Sequence, residues 1–379
     1  MLWGTAWVVG RILGIQIRID TSWAIIFALV LATLSGSYFP EAYPGLSVPL
    51  YWLLGIVCTL LFFASVLAHE LSHSVVAIRQ GEQVPSITLF LFGGVAQISR
   101  EPDEPKKEFL MALVGPLTSM VIGAVFLLIW WLTRRAWLPA AAVAGWLGQM
   151  NFVLAVFNLV PGYPLDGGRI LRSIIWRLTR DVRKATRAAS RVGQGVAIIL
   201  IALGVYILIE SFRRGSASLG GIWLILIGWF LHSAAVRGYE QVRVRQILSE
   251  TRVDQIMSRH LPWVSPTLSI QSLVHDHVLT GRGRAFLVGE GERLEGIVCL
   301  SDAKKVPTGQ WGATVVRDVM TRRADLEVAY PWDNLDRVLG RMTAAECGQV
   351  PVMQGERVEG IISRPDVLRF FRTKSELDV

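Results

Sequence analysis

The chain has 379 residues, 52% of them hydrophobic, with a mean hydropathy of +0.44 and a formal net charge of +8. That apolar content argues against an ordinary soluble enzyme. The basic charge comes with no nucleic-acid recognition motif and sits in short loops beside apolar runs, so it reads as the positive-inside signal of a membrane protein rather than as a nucleic-acid surface.

Taken in chain order, residues 12–19 (ILGIQIRI) alternate in part, with Ile15, Ile17 and Ile19 on one side, which predicts a short strand. The start lacks the basic, apolar, small-residue order of a cleaved signal peptide. A first apolar span runs from Ser22 to Phe39, and the link Pro40–Pro49, without Lys or Arg, is expected outside. A second span covers Leu50 to Ile78. Val84–Ile98 is apolar but only 15 residues long, too short to span, and Gly93-Gly94 interrupts it. It predicts a membrane-dipping hairpin with the glycines at the turn, tolerated at depth only where its backbone is paired or lines a cavity. Spans three and four are Phe109–Leu132 and Leu138–Val160. Residues 169–191 then hold eight Arg or Lys, and spans five and six are Val196–Ile209 and Leu219–Val236. Six spans put both termini in the cytoplasm, with Arg134, Arg135, Arg213 and Arg214 as a mild external violation. Cys58, Cys299 and Cys347 show no metal or redox spacing, which points to a reduced compartment without disulfides.

The expected fold is therefore a polytopic α-helical membrane domain, residues 1–238, with a membrane-associated β-hairpin, followed by a soluble α/β domain, residues 239–379. The soluble part repeats itself. Residues 253–302 and 315–366 each show a Met-ended helix start, a β stretch, an amphipathic helix and two strands around a GER turn, at a period near 63 residues.

The chemistry-bearing motif is His69-Glu70-Leu71-Ser72-His73, at the end of the uncharged run from Leu50 to Ala68. On a helix, positions i and i+4 share a face, so both imidazoles can hold one Zn²⁺ while Glu70 reaches water on the metal. The plain alternative is two histidines marking a helix end near Arg79. A catalytic zinc needs a third protein ligand. His232, His260, His275 and His277 are candidates, but Asp166 in NLVPGYPLDGGR is the better one, since it follows an apolar span and an acid there is costly without a partner. The alternative for Asp166 is a helix cap beside Arg169.

HELSH in span two with NLVPGYPLDGGR after span four resembles the site-2 protease family of intramembrane zinc metalloproteases. GIQIRIDTSW and LFGGVAQI also look like family features, and the resemblance covers about residues 10–238. It implies His69, His73 and Asp166 as zinc ligands, Glu70 as general base and then general acid, and Asn158 as oxyanion stabiliser. For Asn158 the other reading is a helix-end hydrogen bonder. Gly115-Pro116-Leu117-Thr118-Ser119 matches the family's GPxxN segment except that Ser replaces Asn. That departure touches polar contacts at this position and leaves the zinc site aside; a helix kink is the other reading of Gly115-Pro116. The hairpin, through Leu89, Phe90, Leu91, Phe92, Gly93 and Gly94, is expected to pair with an unwound substrate by strand addition.

The repeat resembles a pair of CBS modules, about 251–308 and 313–373. The family's hydroxyl and carboxylate for nucleotide fall at Ser363 and Asp366 in the second copy and at Cys299 and Asp302 in the first, where the thiol lacks the hydroxyl. This implies an adenine nucleotide (ATP, ADP or AMP) and a homodimer through the modules, although a plain dimerisation platform is also open. The whole reading is an intramembrane zinc endopeptidase acting on a membrane-anchored regulatory protein in a prokaryotic cell membrane. A CBS-gated transporter and a catalytically silent scaffold are the alternatives. The transporter needs polar groups along a route across the bilayer, and here the ionisable groups gather at one level.

Overall fold

The computed structural model describes residues 6–99, 102–214, 219–260, 262–281, 285–290, 293–344 and 348–376; Cys347 and the Gly291-Glu292 half of the first GER turn lie outside them. The chain divides into two compact units, Met1–Glu240 and Gln241–Val379.

In the first unit, six helices among the described residues are long and apolar enough to cross a membrane. They are α1 (Trp23–Ala42), α2 (Val48–Arg79), α3 (Pro105–Thr133), α4 (Leu138–Asn158), α6 (Val182–Arg213) and α7 (Leu219–Glu250), with the shorter amphipathic α5 (Asp166–Thr179) between α4 and α6. At 1.5 Å per residue α2 extends about 48 Å, well beyond a hydrocarbon core of about 30 Å. It ends where Gly81 turns left-handed, with Gly81 N–H on the Ile78 carbonyl and Glu82 N–H on that of Ala77. The fifth span begins 14 residues earlier than the apolar run suggests. Arg and Lys are good helix formers, so the basic stretch continues the helix instead of ending it. Asp181 caps that start, accepting from the Lys184 and Arg183 amides, which holds its carboxyl below the usual range. Leu34, Phe39, Tyr51, Leu54, Cys58, Ala142, Val143 and Leu147 pack α1, α2 and α4 together. Large apolar side chains such as Trp52, Leu60, Val121, Leu128 and Ile199 face outward, as lipid contact requires.

A four-stranded sheet lies against the end of α2 in the order β1 (Trp7–Ile12), β2 (Ile15–Ile19), β3 (Ser86–Phe90), β4 (Gly93–Gln97). β1 and β2 form a hairpin through Leu13 and Gly14, both at positive φ, the backbone a two-residue turn of this hand requires. β2 pairs parallel with β3, Gln16 opposite Ser86 through Ile19 opposite Leu89, and joins the two hairpins into one sheet. Strand β1 was not expected: all six of its residues are exposed, so no buried face imposes alternation. The second hairpin is present but its turn is not at the glycines. Phe90 pairs with Gly93 and Leu89 with Gly94, so Leu91 and Phe92 make the turn and both glycines belong to β4. The tip is held from outside: Leu91 N–H donates to Ser22 Oγ (3.2 Å) and Asp20 N–H to the Leu89 carbonyl (2.9 Å). Phe92 stacks on Phe230 of α7 with ring centroids 4.3 Å apart.

The second unit contains two similar α/β halves. The hairpin of β6 (Ala285–Glu290) and β7 (Arg293–Cys299) is flanked by β5 (Trp263–Val264) and β8 (Thr321–Arg322), and β9 (Gln349–Gln354) pairs with β10 (Arg357–Ser363). A short helix, Leu300–Ala303, follows β7, and Arg364–Glu376 follows β10. Each half has its own apolar core, around Phe286 and Val298 in one and Val352 and Ile362 in the other.

Candidate metal centre

The helical spacing brings the two imidazoles of α2 together as the sequence implies, and Asp166 joins them from α5. His69 Nε2 lies 3.2 Å from His73 Nε2, and Asp166 Oδ2 lies 3.1 and 3.2 Å from them. All three residues are buried, and they are the group among the described residues with metal-holding geometry. The other four histidines are not in it. Asp166 is not a cap: Leu165 occupies that position, Asp166 opens the helix, and its carboxylate turns to the rings.

The donor set fits zinc. Zn–N and Zn–O distances of 2.0–2.1 Å at tetrahedral angles place ligand atoms about 3.3 Å apart. The outer nitrogens are already engaged, His73 Nδ1 with the Met111 carbonyl at 2.6 Å and His69 Nδ1 with Ser119 Oγ at 2.9 Å. A carbonyl only accepts, so His73 carries its hydrogen on Nδ1 and a neutral ring presents a bare Nε2 lone pair. The Ser119 hydroxyl can accept from His69 Nδ1 in the same way, and two bare Nε2 lone pairs with a carboxylate oxygen all within 3.2 Å suit a cation between them.

One stripe of α3 organises the centre. Met111, Gly115 and Ser119 follow at four-residue intervals on one buried face. Gly115 is required by space, because a Cβ there meets His73 Nε2 at 2.2 Å and His69 Nε2 at 2.7 Å. Gly115 thus makes room for the two imidazole rings, and the Ser at the family's Asn position does bear on the centre, as the partner of His69. Sequence reasoning missed this second layer; the small-residue spacing 115–119 in an apolar span was the available signal.

Glu70 packs against the sheet. A Cβ on Gly94 meets Glu70 Cγ at 2.5 Å, so the glycine lets β4 lie directly on the glutamate side chain. Leu89 is buried in β3, while Phe90 and Phe92 contact Phe230. Asn158 is half-buried and its amide nitrogen donates to the Leu154 carbonyl at 3.0 Å, the bond of a helix-end side chain.

Comparison with known proteins agrees with this geometry. The sequence model of Peptidase family M50 matches residues 57–135 and 134–202, and that of the CBS domain matches residues 316–373. The chain is 34% identical to sll0528 of Synechocystis over 371 residues, covering 97% of this chain and 96% of that protein. This chain belongs to peptidase family M50. It is also 34% identical to Rip3 of Mycobacterium tuberculosis over 365 residues (95% of this chain, 91% of that protein). Both relatives carry names in the zinc metalloprotease class. Among solved structures, the site-2 protease of Methanocaldococcus jannaschii is 27% identical, with a TM-score of 0.41 over 62% of this chain and 94% of that one. The M50 peptidase is accordingly a zinc metalloprotease, built as a membrane helical domain followed by two similar α/β halves, the second of which matches the CBS model.

In that pair, the residues singled out for nucleotide are engaged with their own helices. Ser363 Oγ donates to Asp366 Oδ2, and the Asp366 amide returns a bond to Ser363 Oγ. Asp302 Oδ2 accepts from the Cys299 amide at 3.0 Å, and its Oδ1 from Lys305 Nζ at 2.9 Å, which raises the Lys305 ammonium above its ordinary value. Between the two copies a cavity of about 400 Å³ is lined by Cys299, Ser301, Lys304, Gln349 and Arg364 among others.

Proposed function

We propose that this M50 peptidase hydrolyses a peptide bond inside a membrane-spanning segment of a membrane-anchored regulatory protein, from the cytoplasmic side. The observation that carries the reading is the convergence of His69, His73 and Asp166 within a unit of six apolar spans, beside a glutamate covered by a sheet edge. His69, His73 and Asp166 would hold the zinc, which would supply a Lewis acid able to make water a nucleophile near neutral pH. Glu70, adjacent in sequence to His69, takes a proton from the attacking water and returns it to the leaving amine. Met111 and Ser119 hold the imidazoles in their ligating orientation. The second amide hydrogen of Asn158 is the donor assigned to the charge that develops on the carbonyl oxygen.

A membrane helix resists this chemistry because its backbone is fully bonded, so the substrate must extend before attack. β4 is the edge strand of the sheet and lies on Glu70, so a segment added along Gly93–Gln97 runs past the catalytic group. With Leu89 buried and Phe90 and Phe92 packed on α7, substrate contact falls to Gly93, Gly94 and the edge backbone, while Leu89, Phe90, Leu91 and Phe92 support it. Glu70→Gln tests the mechanism: zinc content of the detergent-purified protein stays at one per chain and cleavage of a single-span reporter is lost. Unchanged cleavage removes Glu70 from the reaction.

The proposal extends to regulation through the CBS pair, as a homodimer that binds adenine nucleotide. The cavity bounded by Lys304 and Arg364, with Asp302, Ser363 and Asp366 at the helix starts beside it, offers two cations for phosphate. Titration calorimetry with ATP, ADP and AMP is expected to give saturable heat that Lys304→Glu abolishes.

A further inference from the structure

We infer that the buried ion pair between Glu108 and Arg172 is the device that positions Asp166 as a metal ligand; the inference rests on the zinc reading of the site. His69 and His73 ride on one helix, so their separation is built into α2. Asp166 comes from a segment 93 residues beyond His73, and it opens α5, so no helical turn of its own precedes it. The place of its carboxylate depends on how α5 and the irregular stretch before it are docked.

Arg172 controls both sides. It sits on α5 about 9 Å along the helix from Asp166, and its side chain is 4% exposed. Its Nε and a terminal nitrogen reach Glu108 Oε1 at 2.6 and 2.5 Å. The guanidinium also lies over the Tyr163 ring, 5.6 Å from its centroid, and Tyr163 stands three residues before Asp166. One planar cation therefore ties the helix after the ligand and the chain before it to the same carboxylate. Glu108 itself is fully buried in the first turn of α3, where the helix dipole favours a negative charge. Arg169 adds a second cation, its Nε 4.0 Å from Glu108 Oε1. Because α3 also carries the Met111 carbonyl, the Gly115 space and the Ser119 hydroxyl, the pair sets α5 in register with the helix that orients both imidazoles. Arg is needed because Lys offers one point charge, without the fork or the flat face.

The test measures zinc release from detergent-purified, zinc-loaded full chain into a chromogenic chelator, alongside Tm. Arg172→Lys keeps the charge and loses the fork. The double variant Glu108→Gln with Arg172→Met replaces the pair by neutral groups of similar volume, a change that cores generally accept. Leu147→Ala is the control, opening a cavity in the α1–α2–α4 core away from the centre. Both pair variants are expected to release zinc 10- to 100-fold faster. Leu147→Ala is expected to lower Tm with release unchanged. Wild-type release from both pair variants overturns the inference, and so does equal acceleration by Leu147→Ala. Asp166→Ala separates the two levels: if it holds zinc as the wild type does, the zinc reading itself fails, whatever the pair variants show.

Discussion

Ser119 has a hydroxyl within 2.9 Å of His69 Nδ1 and no exposure to solvent. With His69 Nε2 turned to a metal, this oxygen would accept the Nδ1 hydrogen and hold the ring in its ligating orientation. Ser119→Ala strands a buried N–H and lets the ring turn, so zinc affinity by chelator competition is expected to fall 10- to 100-fold, with activity falling in parallel. Unaltered affinity dismisses the hydroxyl as a hold on that ring. The approach of His69 to His73 was legible because it is written as residue identity at helical spacing, while that of Asp166 was legible only from its place after an apolar span and from the family resemblance. Ser119 and Met111 were not, since a partner that serves through a hydroxyl or a backbone carbonyl leaves no distinctive letter. Glu108 and Arg172 are separated by 64 positions, and nothing local ties them together.

At the scale of the element, hydropathy located the hairpin but misplaced its turn. Gly93-Gly94 reads as a turn signal because glycine is usually spent on backbone freedom. Here Gly94 serves close approach to Glu70, and the turn at Leu91-Phe92 is held instead by Ser22, Asp20 and the rings of α7. β1 escaped for the reason already given, and its pairing through β2 to β3 is a contact between segments about seventy residues apart. The edge position of β4 has a consequence for catalysis. Ala96 pairs with Ile87 at a position where its backbone N–H faces the open edge, so Ala96→Pro removes a donor that an added strand would use and spares the β3–β4 ladder. Cleavage of a membrane-embedded reporter is expected to drop at least tenfold while the metal content remains that of the wild type. Full cleavage with the proline in place refutes strand addition at this edge.

For the whole molecule, the count of spans came directly from composition, because hydrocarbon admits little besides apolar helices and this constraint is visible in any window of about 20 residues. The ends of those spans were less visible, since α2 and α6 continue as helix past the point where apolarity stops. Those overhangs matter for sidedness. The basic stretch Arg169–Arg191 belongs to α5 and the start of α6, next to the chain segment that delivers Asp166, so the cytoplasmic side proposed for the metal centre rests on the positive-inside rule applied to this stretch. The exposed arginines 134 and 135, between α3 and α4, then face outward and oppose the rule. The larger cluster outweighs them, which is why the proposal puts 169–191 inside. In a variant with Cys58, Cys299 and Cys347 replaced by Ala, an impermeant maleimide is expected to label Arg135→Cys on intact cells and Lys184→Cys only after permeabilisation. Labelling of Lys184→Cys on intact cells inverts the topology and moves the proteolytic centre to the opposite face of the membrane.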